Sequence, residues 1–205
     1  MAFFGNSNKN TKSDVPVNTA TIITNGTKIK GDIEGDDTVH IEGEIYGDVK
    51  VNNTVVVGKT GLIQGNIKAN KIISSGKIEG DIKCEDLEVM HSSYIKQNIR
   101  AKKVLIHGTI HGEVVCDSLV VEEGGFVKDK TQSKYTVISG QIEGIIACST
   151  LTVKSTGFVK GEMKVNNISN DGGKIEGSIS QFKEIIKQTN HVIENTTKDI
   201  VLKQA

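Results

Sequence analysis

The sequence predicts an all-β fold, a single-domain parallel β-helix (a triangular solenoid) of about ten turns, followed by a C-terminal α-helix. Three columns of residues predict the coil. The first is Gly31, Gly47, Gly65, Gly80, Gln97, Gly112, Asp129, Gly144, Gly161 and Gly177, evenly spaced along the chain and glycine at eight of its ten places. Two residues before each member stands Ile29, Ile45, Ile63, Ile78, Ile95, Ile110, Val127, Ile142, Val159 or Ile175, so this column is aliphatic and β-branched throughout. Two residues after each stands Ile33, Val49, Ile67, Ile82, Ile99, Val114, Thr131, Ile146, Met163 or Ile179, with Thr131 the one polar member.

Helical repeats run to about 33 residues or more with a 3.6-residue rhythm, whereas these units are half as long, alternating and rich in Val, Ile, Thr and Gly. Such a unit suffices for three strands of about five residues with bends between them, one triangular turn. Successive turns then pair as parallel strands, and nine intervals of roughly 4.8 Å give a rod of about 43 Å around one aliphatic core.

Along the chain, residues 1–18 hold the only proline and no column position, and read as a flexible arm. Met1, Phe3 and Phe4 are its apolar part and its membrane-binding candidates. The β-helix domain spans 19–180. Within it Leu62, Tyr94, Phe126 and Phe158 recur at a constant spacing on alternate turns, as do Cys84, Cys116 and Cys148, so the full repeat is two turns. The cysteines share a column with Gly35, Val51, Ala69, Ala101, Ser133 and Val165, which marks a site for small side chains. Stacked two turns, roughly 9.6 Å, apart, they lie beyond disulfide reach. Gln97 and Asp129 place the glycine column at a bend that accepts positive φ rather than in the deep core. Charges alternate with the core columns, as in Lys28, Lys30, Asp32 and Glu34, and form a solvated outer face. From 181 to 205 the spacing becomes helical: Phe182, Ile185, Ile186, Thr189, Val192, Ile193, Thr196, Ile200 and Val201 make an amphipathic helix, a candidate cap for the rod.

Lys plus Arg equals Asp plus Glu at 25 each, which gives no field to draw nucleic acid. No run reaches the roughly 18 apolar residues of a membrane span, and no secretion signal opens the chain, so a cytoplasmic location is expected. Left-handed β-helix acyltransferases and their zinc-binding relatives use interface histidines on a coil of strict hexapeptides, three to a turn. In the glycine column only the step from Gly47 to Gly65 has that length. His91 and His107 occupy comparable offsets on adjacent turns and are the nearest approach to such a site. The expectation is a non-enzyme without cofactor or metal, with an acyltransferase-like trimer as the alternative.

The stretch ATIITNGTKIKGDIEGDDTVHIEGEIYGDVKVNNTVVVGKTGLIQGNIKANKIISSGKIEGDI, residues 20–82, resembles the bactofilins, bacterial cytoskeletal proteins. The resemblance implies a right-handed coil that polymerises end to end without nucleotide and scaffolds cell-wall enzymes that set cell shape. It also makes Met1, Ala2, Phe3 and Phe4 the counterpart of an N-terminal peptide that holds the polymer at the inner membrane. Implied partners are further copies of the chain, another bactofilin, peptidoglycan-remodelling proteins and the membrane surface. Two features depart from the family's pattern: ten turns instead of about six, and a helix where a flexible tail is usual. End-to-end growth needs uncovered aliphatic turns. The expected N-terminal interface is therefore Ile22, Ile23, Ile29 and Ile33, and the C-terminal interface or cap Ile175, Ile179, Phe182, Ile185 and Ile186. A capped chain would instead act as an adaptor that joins a shorter bactofilin and limits filament growth.

Overall fold

The computed structural model describes residues 20–181 as one continuous coil. Met1, Phe3, Phe4 and the arm lie outside the described residues, as do Phe182, Ile185, Ile186 and the rest of the expected helix. Among the described residues there is no helix, and each strand lies in parallel register with the turn before it, the turn after it, or both.

Three faces make each turn. Glu44–Tyr46 lies on the first, Val49–Val51 on the second and Thr54–Val57 on the third. The register joins Ile29, Ile45, Ile63, Ile78, Ile95, Ile110, Val127, Ile142, Val159 and Ile175 into one line, as the sequence columns require. Ile45, Ile63, Ile78, Ile95, Ile110, Val127 and Val159 in that line are fully buried. Each such side chain contributes roughly 1.5 to 3 kcal/mol relative to exposure, and β-branched residues suit the pleat because their χ1 freedom is already restricted.

The glycine column sits at the bend between the first and second faces. Among the described residues, Gln97 and Asp129 are the two non-glycine residues with positive φ, at 113° and 99°. Gly161 combines a φ of +139° with a second constraint: a Cβ there would overlap the carbonyl oxygen of Gly144 on the turn below. Close stacking of backbone on backbone at this corner therefore selects glycine as much as φ does.

Strand length differs along the rod. In the first five turns the strands hold two to four residues, shorter than the five expected. Later strands run 13 residues, as in Phe126–Ile138, Gln141–Val153 and Phe158–Asn170, passing through the same corner without a break. The residue after the column member decides which occurs. In the early turns it is Asp32, Asp48, Asn66, Asp81 or Asn98, and the side chains replace ladder bonds. The amide of Asp48 donates to Asp32 Oδ1 at 2.8 Å, Asn66 to Asp48 Oδ1 at 2.8 Å, Asp81 to Asn66 Oδ1 at 3.1 Å and Asn98 to Asp81 Oδ1 at 3.1 Å. Short Asx side chains compete with the backbone in this way and interrupt regular structure. Later turns carry Glu113, Lys130, Ile145 and Glu162 at this place, and the strand carries on.

The two-turn rhythm has its cause at the corner between the third and first faces. Connections of four residues (24–27, 58–61, 90–93, 122–125, 154–157) alternate with connections of two (42–43, 75–76, 107–108, 139–140). Leu62, Tyr94, Phe126 and Phe158 all follow the longer connection and fall in one outward line with Lys77, Thr109 and Gln141 between them.

Candidate functional site

Burial along the core lines identifies the two ends of the coil as the places where the fold is incomplete. At the N-terminal end, Ala20–Ile23 pairs on one side only, with Thr38–Ile41. Ile29 and Ile33 are half-buried although Ile45 and Val49, their equivalents one turn on, are buried, while Ile22, 65% exposed, points outward in line with His40. Ile23 is buried beneath the next turn. At the other end, Lys174–Gln181 pairs only with Phe158–Val165. There Ile179 is 55% and Ile168 41% exposed and Ile175 is half-buried, against Met163 and Leu151 at 0% one turn earlier. The structure thus brings Ile22, Ile23, Ile29 and Ile33 together at one end and Ile175 and Ile179 at the other. Ile168 is an addition, legible in retrospect as the aliphatic member two turns after Thr136 in its column.

The rod's interior is aliphatic apart from its cysteines and a few small hydroxyl side chains, Ser74, Ser93, Thr131, Ser133 and Thr136. Cys84, Cys116 and Cys148 are free thiols facing inward in the small-residue column. Burial pushes the pKa of Cys84 and Cys116 up to about 12 and that of Cys148 to about 11, so at neutral pH all three are thiols rather than thiolate nucleophiles. His91 and His107 do meet, with stacked rings 4.9 Å apart. Among the described residues no group of three His, Cys, Asp or Glu side chains could hold a metal ion, and no helix is long and apolar enough to cross a membrane.

Outside, the second face of the early turns carries a groove of about 520 Å³. One wall is the Asx ladder. The other is a row of cations directly opposite one another, Lys50, Lys68, Lys83 and Arg100. Lys50 is bound to Glu34, and the two groups hold each other charged: the lysine pKa is raised and the Glu34 carboxyl lowered, both through their hydrogen bond. Like charges in register repel, and the carboxylates of Asp32, Glu34, Asp48 and Asp81 lining the groove offset them. Sequence reading missed the groove because the cations stand a full turn apart along the chain and meet only through the register. Exposed ion pairs between turns, such as Lys130 with Glu113 at 2.6 Å and Lys154 with Asp171 at 2.8 Å, line the other surfaces.

A family model for the bactofilins, described as polymer-forming cytoskeletal, matches residues 21–107 and again 100–180. The overlap falls on Lys103–Ile106, which pairs with Asp86–Val89 on one side and Ser118–Val121 on the other, so the coil crosses it with its ladder intact. No curated protein and no solved structure matches the chain.

Proposed function

The chain belongs to the bactofilin family, whose model covers it from residue 21 to residue 180, and from that premise we propose a cytoskeletal scaffold that grows end to end through its two bare turns. As a member of a polymer-forming cytoskeletal family it is a structural protein, a β-solenoid that self-associates. The observation that carries the growth mode is that Ile29 and Ile33 are only half-buried and Ile179 is 55% exposed, in core lines whose inner members are buried. An unpaired strand edge beside uncovered aliphatic core is what another copy can complete.

The polymer lies in the cytoplasm, peripheral to the inner membrane, held there by Met1, Phe3 and Phe4. One such arm binds weakly, and a filament carrying one per subunit multiplies the affinity by roughly 100-fold or more. Its cargo is cell-wall or cell-shape machinery, for which the rod supplies a repeating surface rather than catalysis.

Negative-stain microscopy of Ile29→Arg, Ile179→Arg and the double variant tests growth. Each single variant is expected to stop at end-to-end dimers and the double at single rods, with circular dichroism unchanged because both side chains lie on end turns and neither is buried. Filaments of undiminished length from the double variant would overturn this mode, as would compact trimers from the parent. Deleting 182–205 distinguishes the capped adaptor: the cap reading requires longer assemblies after deletion. For the membrane, replacing Phe3 and Phe4 by serine is expected to lower co-sedimentation of the polymer with anionic vesicles at least tenfold.

A further inference from the structure

The third face is a ten-rung parallel ladder, from Ala20–Ile23 as rung 1 to residues 167–170 as rung 10. Its central outward line reads Ile22, His40, Val56, Ile73, Glu88, Leu105, Val120, Val137, Thr152, Ser169, six of them aliphatic. The flanking outward line reads Ala20, Thr38, Thr54, Lys71, Asp86, Lys103, Ser118, Tyr135, Thr150, Asn167. Full charges occur only on rungs 4 to 6. Lys71 is bound to Glu88 at 2.8 Å, and neither Asp86 nor Lys103 forms an ion pair among the described residues.

We propose that this face is a side-by-side interface between two copies of the chain running antiparallel, related by a two-fold axis parallel to the strands that passes between rungs 5 and 6. That axis sits at the middle of the ladder, so every rung is covered, rung 1 by rung 10 of the second copy and so on inward. Asp86 then faces Lys103 of the second copy, twice by symmetry. Ile73 faces Val120, and Val56 faces Val137, so aliphatic meets aliphatic on both sides of the charged centre. Tyr135, 60% exposed, lies over Thr54, in keeping with the enrichment of aromatics at interfaces. Two matches are imperfect: Glu88 over Leu105, where the carboxylate is already held by Lys71, and Ile22 over Ser169 at the two extremes. A parallel arrangement, with the axis along the rod, sets Asp86 against Glu88 and is repulsive. A one-rung shift of the antiparallel pair sets Lys103 against Lys71 in one direction and against its own counterpart in the other, and both are repulsive.

The size fits a contact that depends on repetition. Four-residue strands about 13 Å wide over a ladder of about 43 Å give roughly 560 Å² per copy, or about 1,100 Å² in all, just above the roughly 1,000 Å² of a specific interface. A single pair is therefore weak, while two filaments in register join through every subunit. This deepens the scaffold reading, yet it uses the outward residues of the third face and not the core lines left open at the ends, so the two stand or fall separately.

The test uses the full chain with its cysteines replaced by alanine, a residue their column already holds at Ala69 and Ala101. Cysteines at positions 73 and 120 together, treated with a short bifunctional maleimide, are expected to give a covalent dimer at least fivefold above either single variant, and positions 56 and 137 likewise. Lys103→Glu should abolish the cross-link and narrow paired filaments to single width at unchanged length, and adding Asp86→Lys should restore both. Cross-linking indifferent to position, absent altogether, or appearing only after residues 182–205 are removed would overturn the proposal. The last result would assign the face to the chain's own C-terminal segment. Shortened filaments of normal width would fault end-to-end growth and leave face pairing standing.

Discussion

The early turns and the late turns of this rod share a cross-section but close their corners differently. Up to Asn98 the bend after the glycine column is fastened by Asp and Asn side chains that take backbone amides from the next turn. Beyond it strands of 7 to 13 residues run through the bend and the backbone fastens itself. The early solution leaves a charged groove outside. The late one places Val115, Ile145 and Ala147 in lines where the early turns carry Asx and cations, and Ile145 remains 38% exposed. One fold thus offers two surfaces, and the choice lies in a single position per turn.

Substitutions at equivalent corners should break or sharpen that contrast. The largest effect is expected at Gly161, where alanine combines positive φ with a clash against the backbone of Gly144 and should cost about 3 kcal/mol or more. Gly31→Ala, at φ +136° with open space around it, should cost only about 1 kcal/mol. Thermal melting of the two variants side by side measures this, and equal losses would show that φ alone governs the column. Next comes the Asx ladder. Asp48→Ala removes an acceptor for the Asn66 amide and side chain and should cost about 1 to 2 kcal/mol, whereas Glu162→Ala at the matching late corner should leave the melting midpoint nearly unchanged. A smaller effect of opposite sign belongs to Thr131. It is 1% exposed, its hydroxyl has no partner, and its counterparts in the other turns are aliphatic, so Thr131→Val should stabilise by about 1 kcal/mol.

The effect that is smallest at neutral pH, being confined to alkaline solution, concerns the three thiols. Their folded pKa values, raised from 9.0 to about 12, 12 and 11 by burial, mean that the folded chain keeps protons the unfolded chain releases. That contribution is complete below pH 9 and is lost as pH rises from about 9 towards 12. Replacing all three by alanine should flatten the alkaline fall in stability, which denaturant titrations between pH 8 and pH 11 would reveal.

The core was legible in the chain because its signal is a repeated spacing, and every aliphatic column found its partner line in the structure. Positive φ at Gln97 and Asp129 was legible for the same reason, as exceptions in an otherwise glycine column. The corner chemistry was not, since an Asp after a glycine reads the same whether its carboxylate takes an amide or faces water. The cationic row and the neutral third face were hidden for a related reason. Outward residues of two-to-four-residue strands cannot be assigned to a face until the register is known. The ends were legible as the points where the pattern stops, and Ile168 escaped because its column breaks at Thr136.

Two family matches share one unbroken ladder, joined at residues 100–107. Since each added turn lengthens the rod by a fixed step and leaves its cross-section alone, the chain works as a ruler whose graduations are turns. A filament built from such rods carries one arm and one C-terminal segment for roughly every 43 Å of length, so the spacing of whatever it tethers is written into the number of turns.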